Sequence, residues 1–283
     1  MSKLGLILEG GGMRGIFTAG VLDYFLEKGI EFDSVIAVSA GSCHACSFLS
    51  KQHGRAFATS TNYLKNKNYC GFYSFLKTGN LFGVDFIFKE IPEKLYPIDN
   101  NEFKKNKTTF QAVVTNCVTG EAEYPFINDM FEDIGYVRAS SSLPLVSRMV
   151  EIGGKLYLDG GICDSIPIEK SIEQGNTKNV VVLTREREYR KQKMKLTSLI
   201  KHKYRNYPNL IEKVKNRHIQ YNKTLDLLHR EEKRGNTFII APDYPLELKR
   251  IEKDKEKMLA VYEHGYKQAE RMYNDLIKFC GDV

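Results

Sequence analysis

LGLILEGGGMRGIFTAG, residues 4–20, runs an apolar, strand-like stretch into a glycine loop and then into a helical pattern. Unpaired amides and the positive end of a helix converge at such a loop, so it is built to face an anion or a developing negative charge. The helical positions Ile16, Ala19, Val21, Leu22 and Phe25 lead to a second apolar run, VIAV, at residues 35–38. Strand, helix and strand in that order predict a βαβ unit, with parallel strands, a right-handed crossover and helices on the sheet faces. Further strands are expected at 109–116, 155–158, 179–184 and 237–241, alternating with helical stretches such as 166–175. The fold class is therefore α/β, with three α/β/α layers and a mostly parallel sheet.

Gly10, Gly12 and Gly15 spell GxGxxG, the fingerprint of a dinucleotide site. That reading needs an acidic residue at the end of the second strand to hold the ribose hydroxyls. VIAV ends instead in Ser39, and the next aspartate is Asp85. The chain passes through Ala37-Val38-Ser39-Ala40-Gly41-Ser42 into an apolar helix, CHACSFL. A strand, a sharp turn with serine at its apex and a helix make a nucleophile elbow of the GxSxG type, here with Ala37 in the first glycine position. The competing reading is that Ser39 only caps the helix.

A serine hydroxyl needs a base. His44 and His53 lie in or just after the helix of Ser39, His202, His218 and His229 in a basic segment, and His264 in the last amphipathic helix, so none follows a strand in a short loop. Asp159 does, in KLYLDGGICDSIPI, where two glycines allow a tight turn beneath it. A partly desolvated carboxylate within hydrogen-bond reach can take the proton, although LDGG can also be a plain strand-end turn.

The 283 residues, 42% of them hydrophobic, suffice for one large domain. Met-Ser-Lys leads straight into the first strand and no stretch approaches ~20 apolar residues, so neither leader nor membrane span is expected and the expected location is cytoplasmic. The six cysteines are scattered through apolar runs, and Cys43 and Cys46 fall inside one helix, as suits buried reduced thiols. Residues 185–234 carry 16 Lys or Arg against 6 Asp or Glu, whereas the remainder of the chain, with 26 against 29, is nearly neutral. This segment is expected to be a basic, helical insertion, because TFIIA returns afterwards as a strand and a C-terminal helix begins near Leu248. It either presents a solvated face or makes peripheral contact with an anionic membrane surface. No recognition motif accompanies its charges, so no nucleic-acid partner is expected. The aromatic segment 69–88 is the candidate wall of an apolar site.

GGGMRG (10–15), AVSAG (37–41), ASSSLP (139–144) and DGG (159–161), in that order, resemble the patatin-like phospholipase family. The resemblance covers roughly residues 4–184, and the ending resembles the bacterial branch of that family with an extra C-terminal helical region. It implies one acyl hydrolase domain over residues 1–283, with 185–234 inserted and 237–283 supplying the returning strand and last helix. It further implies a Ser-Asp dyad without histidine, in which Ser39 is the nucleophile and Asp159 the base. Gly10, Gly11 and Gly12 would form the oxyanion hole, Arg14 and Gly15 would support that loop, and Ala37 and Gly41 would flank the elbow. The expected partner is a lipid or other acyl ester, cleaved through an acyl-enzyme without metal or cofactor. A non-catalytic lipid-binding or regulatory protein on the same fold is the alternative.

Overall fold

In a computed structural model, residues 3–195, 197–249 and 251–281 are described. Met1 and Ser2, on which the expectation of no leader rests, lie outside them, as do residues 196, 250, 282 and 283 of the two C-terminal segments. The chain runs β1 (Leu4–Leu8), α1 (Ile16–Lys28), β2 (Ser34–Val38), α2 (Ala40–Leu49), α3 (Arg55–Thr61) and α4 (Phe72–Thr78). A π-helical stretch at Phe86–Leu95 precedes α5 (Asn100–Lys105), β3 (Thr109–Asn116), β4 (Ala122–Glu123), α6 (Ile134–Ser140), β5 (Val150–Ile152) and β6 (Lys155–Asp159). Next come α7 (Ile168–Glu173), β7 (Lys178–Val182), α8 (Thr197–Lys203), α9 (Pro208–Lys233), β8 (Thr237–Ile240), α10 (Lys255–Arg271) and α11 (Tyr273–Gly281).

Parallel pairing links β3, β2, β1, β7 and β8. Side chains that alternate along these strands feed two helical layers. Leu6, Leu8, Val180 and Val182 pack on α1, α2, α10 and α11, while Ile7, Val181 and Ile239 pack on α7 and α9. This is the expected three-layer α/β/α arrangement.

The sheet is antiparallel at one end, through β3 with β4 and β6, and β6 with β5. The strand β3 outlasts its neighbour, since β2 pairs only as far as Val38 opposite Val113, and β6 begins its pairing at Asp159 opposite Val114. The Thr109 amide donates to Asp33 O and the Cys117 amide to Leu156 O, so β2 and β6 lie along the same edge of β3. The other edge is taken by β4 and the chain after it, through the amides of Asn116 and Ala112. Two strands running in opposite directions thus meet end to end, one carrying Ser39 past its tip and the other ending in Asp159.

The basic segment 185–234, expected as a helical insertion before a returning strand, forms the connection between the parallel neighbours β7 and β8. It is irregular at first, then helical as α8 and α9, with Tyr221, Leu225 and Leu228 buried against the sheet. One expectation needs correction. The last helix begins not near Leu248 but at Lys255, where the Asp254 side chain accepts from the amides of Glu256 (3.0 Å) and Lys257 (3.2 Å) and fixes the N-terminus. It also breaks at Met272 into α10 and α11, so the expected apolar stripe is shared by two helices.

The helices α1 and α10 cross at backbone distance. A Cβ on Gly20 would lie 2.0 Å from Tyr262 O, and one on Gly265 would lie 2.0 Å from Phe17 O. Tyr262 completes the contact by donating to the buried Asp23 carboxylate at 2.7 Å. Gly20→Val is expected to cost about 3 kcal/mol or more, because backbone rather than a flexible side chain must give way. Chemical denaturation checks this: a midpoint unchanged from wild type contradicts the crossing.

Candidate active site

Ser39 is the one residue between β2 and α2, and it adopts φ 55° and ψ −123°. A left-handed φ at a non-glycine residue costs about 1–3 kcal/mol, so the surroundings must enforce it. They do so from three sides. The Ser39 amide donates to Ser140 Oγ at 2.9 Å. Ser42 Oγ donates to Ala37 O at 2.8 Å and lies 3.2 Å from Ser140 Oγ. Gly41 passes so close to the end of β1 that a Cβ there would lie 2.8 Å from Leu8 O.

Asp159 is held by the same turn. Its amide donates to Ser142 O at 2.9 Å, and Thr115 Oγ1 donates to Asp159 O at 2.9 Å. The chain must swing away immediately afterwards, because a Cβ on Gly160 would lie 2.1 Å from Val113 O. The Gly161 amide then donates to Asp159 Oδ1 at 2.8 Å. The other oxygen, Oδ2, is buried and free of a closed hydrogen bond among the described residues, and the Ser39 hydroxyl is the group that faces the carboxylate.

Burial pushes the Asp159 carboxyl above the usual carboxylate range, while Arg217, the Ser39 hydroxyl, the Gly161 amide and Lys191 oppose that shift. Arg217 approaches closely: one of its terminal nitrogens and Asp159 Oδ1 each lie 3.0 Å from the point a Gly161 Cβ would occupy. Lys191 belongs to the same group. Burial, Arg217, Arg14 and Arg185 bring its pKa down to about 7 against the pull of Glu9, and its ammonium sits 4.1 Å from the Tyr221 ring centre.

Gly10, Gly11 and Gly12 lie against the serine. A Cβ on Gly10 would be 2.9 Å from Ser39 Cβ, Gly11 presses on Thr184, and Gly12 takes φ +56°. Their amides donate to no acceptor among the described residues. Gly15 leaves room for Ala40 and the His44 ring. Arg14, expected to support that loop, has its Nε buried without a hydrogen-bond partner among the described residues, and burial together with Arg185 lowers its pKa.

Glu9 is tied down just before the loop, a residue that the sequence motifs do not single out although it is the one charge between an apolar strand and the glycines. Its carboxylate accepts from Tyr221 OH (2.7 Å), Thr184 N (2.7 Å) and Thr184 Oγ1 (3.1 Å). Arg217 and Lys191 are likewise indistinct in sequence, where they are two basic residues among 16.

Ser39 opens onto a mostly apolar cavity whose wall includes Tyr69, Phe82, Val84, Ile87 and Phe88, from the segment expected to form it. Cys43 and His44 also line it. Burial raises the Cys43 thiol pKa and lowers His44 to about 4, so one is a protonated thiol and the other a neutral ring.

A family profile described as patatin-like phospholipase matches residues 6–172, a span that contains the glycine loop, the Ser39 elbow, the 139–144 turn and Asp159. The chain belongs to the patatin-like phospholipase family. A second profile, a domain of unknown function (DUF6363), matches residues 207–281, from α9 through α11. Among curated relatives, the uncharacterized protein YjjU of Escherichia coli (strain K12) is 31% identical over 191 residues, covering 64% of this chain and 52% of that protein. The probable lipid hydrolase 463L of Invertebrate iridescent virus 6 is 26% identical, covering 62% of this chain and 65% of that one. Lysophospholipase NTE1 of Saccharomyces cerevisiae is 25% identical, covering 61% of this chain but 10% of that protein. The chain thus spans about half of the first relative's length and a tenth of the last. The crystal structure of VipD from Legionella pneumophila shares the fold, with a TM-score of 0.50 at 13% identity over 97% of this chain and 67% of that one.

Because burial raises the Asp159 pKa, ionising it costs stability as pH climbs from the ordinary 3.8 through the raised value. Asp159→Asn is therefore expected to match or exceed the wild-type melting temperature at neutral pH, with an advantage that vanishes below that window. Differential scanning calorimetry across pH checks this, and a markedly less stable variant at pH 7 contradicts it.

Proposed function

We propose that this chain is a serine acyl hydrolase of lipid esters that works with a Ser39-Asp159 dyad. The observation that carries the reading is the left-handed Ser39 turn at the end of an apolar cavity, with a buried carboxylate as its facing base. In this reading Asp159 Oδ2 takes the hydroxyl proton as Ser39 Oγ bonds to the ester carbonyl carbon. The carbonyl oxygen gains the electron pair and is met by the amides of Gly10, Gly11 and Gly12, each worth about 3–4 kcal/mol where such a donor has been removed elsewhere. Collapse breaks the bond to the alcohol, which leaves with the proton held on Asp159. Water, deprotonated by the same carboxylate, then attacks the acyl-enzyme and frees Ser39.

Three features support that assignment. The glycine amides are unengaged and lie beside Ser39. The cavity wall from 69 to 91 is apolar enough for an acyl chain. The relatives named lipid hydrolase and lysophospholipase favour a lipid as the ester. Arg217 and Lys191 have the role of keeping Asp159 ionised in spite of its burial, as a base must be.

Hydrolysis of p-nitrophenyl esters of graded chain length tests the reading. Wild type is expected to prefer the longer acyl chains, and Ser39→Ala and Asp159→Asn to lose activity on the order of 10³-fold or more. Equal activity in Ser39→Ala sinks the proposal.

The same role for Arg217 fixes a pH dependence. Arg217 lowers the Asp159 pKa, so Arg217→Gln raises it and the acidic limb of the kcat/KM profile moves to higher pH. Arg217→Lys retains most of the wild-type profile, and a limb that stays in place in Arg217→Gln contradicts the electrostatic role.

A further inference from the structure

Phe72 and Leu76, at 73% and 69% exposure, are the two most exposed large apolar side chains among the described residues. They stand one turn apart on α4, and Tyr73 beside them is 44% exposed. The helix is held firmly in this position. Gly71 and Gly79 bound it with φ of +129° and +76°, values at which other residues are strained. At its base the Gly71 amide donates to Leu81 O, the Gly83 amide to Tyr69 O and the Leu81 amide to Val146 O, each at 2.8 Å. Ser74 Oγ donates to Asn80 O at 2.9 Å. So firm a base beneath so apolar a tip implies a partner for the tip.

The charge around the tip says which partner. No Asp or Glu occurs between Asp33 and Asp85, while Lys65, Lys67 and Lys77 are exposed on and beside α4. The Lys67 ammonium sits 4.9 Å from the Tyr73 ring centre, and the Arg148 side chain lies against Gly79. Apolar side chains flanked by exposed lysines match a bilayer surface, which offers acyl chains beneath anionic headgroups. The segments flanking α4 also lead to the active site, since Tyr69 before it and Phe82 and Val84 after it line the cavity that contains Ser39.

We propose that α4 is a membrane-docking element, with Phe72 and Leu76 entering the acyl region of an anionic lipid surface while Lys65, Lys67 and Lys77 bind its headgroups. This places the main apolar contact at α4, whereas the basic crossover that precedes β8 directs Arg217 and Lys191 inward to Asp159. The docking surface does not depend on Ser39 being a nucleophile, so it is tested in Ser39→Ala protein, which cannot alter the vesicles by turnover.

The chain contains no tryptophan, so Phe72→Trp supplies a single reporter. Its emission is expected to shift to the blue on adding phosphatidylglycerol vesicles and not with pure phosphatidylcholine vesicles. Ile172→Trp, on α7 at a position 41% exposed, is expected not to shift. In co-sedimentation the Phe72→Ser, Leu76→Ser double variant should lose at least about tenfold in vesicle binding, and Lys65→Gln, Lys67→Gln, Lys77→Gln should lose most of the salt dependence. The proposal is overturned by an unshifted Phe72→Trp spectrum, by wild-type binding in the double variant, or by wild type binding neutral and anionic vesicles alike. It is also overturned if analytical ultracentrifugation shows that the double variant turns a dimer into a monomer, since a second copy would then be what covers α4.

Discussion

Two strands that end facing each other along one edge of β3 set the geometry on which the site depends. The partner strand β2 stops at Val38 opposite Val113, and the remaining half of β3 accepts β6 from the opposite direction, ending at Asp159 opposite Val114. Neither chain can continue straight. Gly160 is blocked by Val113 O, and Ser39 turns through a left-handed conformation into α2. The 139–144 turn then fixes both ends, with Ser140 Oγ holding the Ser39 amide and Ser142 O holding the Asp159 amide. Both bonds fix backbone amides, so little freedom is left to freeze at these two positions.

Electrostatics completes that arrangement from the other side of Asp159. A buried carboxylate resists ionisation, and the sequence answers by folding a strongly basic crossover over it rather than by burying a histidine beside it. Arg217 and Lys191 come from that crossover, and Tyr221 on the same helix donates to Glu9, which also takes the Thr184 amide. One connection therefore joins β7 to β8, brings positive charge to the surroundings of Asp159 and anchors the residue before the glycine loop. Part of the local excess of basic residues, Arg217 and Lys191, thus acts on the buried Asp159 inside the molecule.

The parallel half of the sheet is legible in the sequence, because β1, β2, β3, β7 and β8 are continuous apolar runs between helical patterns. Ser39, Asp159 and the glycine loop are legible as strand-end signals, and the structure brings all of them to one place. The two short strands β4 and β5, two and three residues long, are not, since so few residues carry no period. The antiparallel direction of β6 and its meeting with β2 are hidden for a different reason: pairing between distant segments leaves no local trace. Arg217 and Lys191 look like two more charges on a solvated face, and only the path of the crossover distinguishes them. The start of α10 lies later than its pattern suggests because the Asp254 cap, satisfying two amides, outweighs the helix-favouring residues before it.

Labelling with a fluorophosphonate and then mapping the peptides tests most directly whether strand-end geometry makes Ser39 nucleophilic through Asp159. One adduct, on Ser39, is expected in wild type, and labelling slower by orders of magnitude in Asp159→Asn although that protein stays folded. An adduct on any other residue, or equal labelling rates in the two proteins, would contradict it.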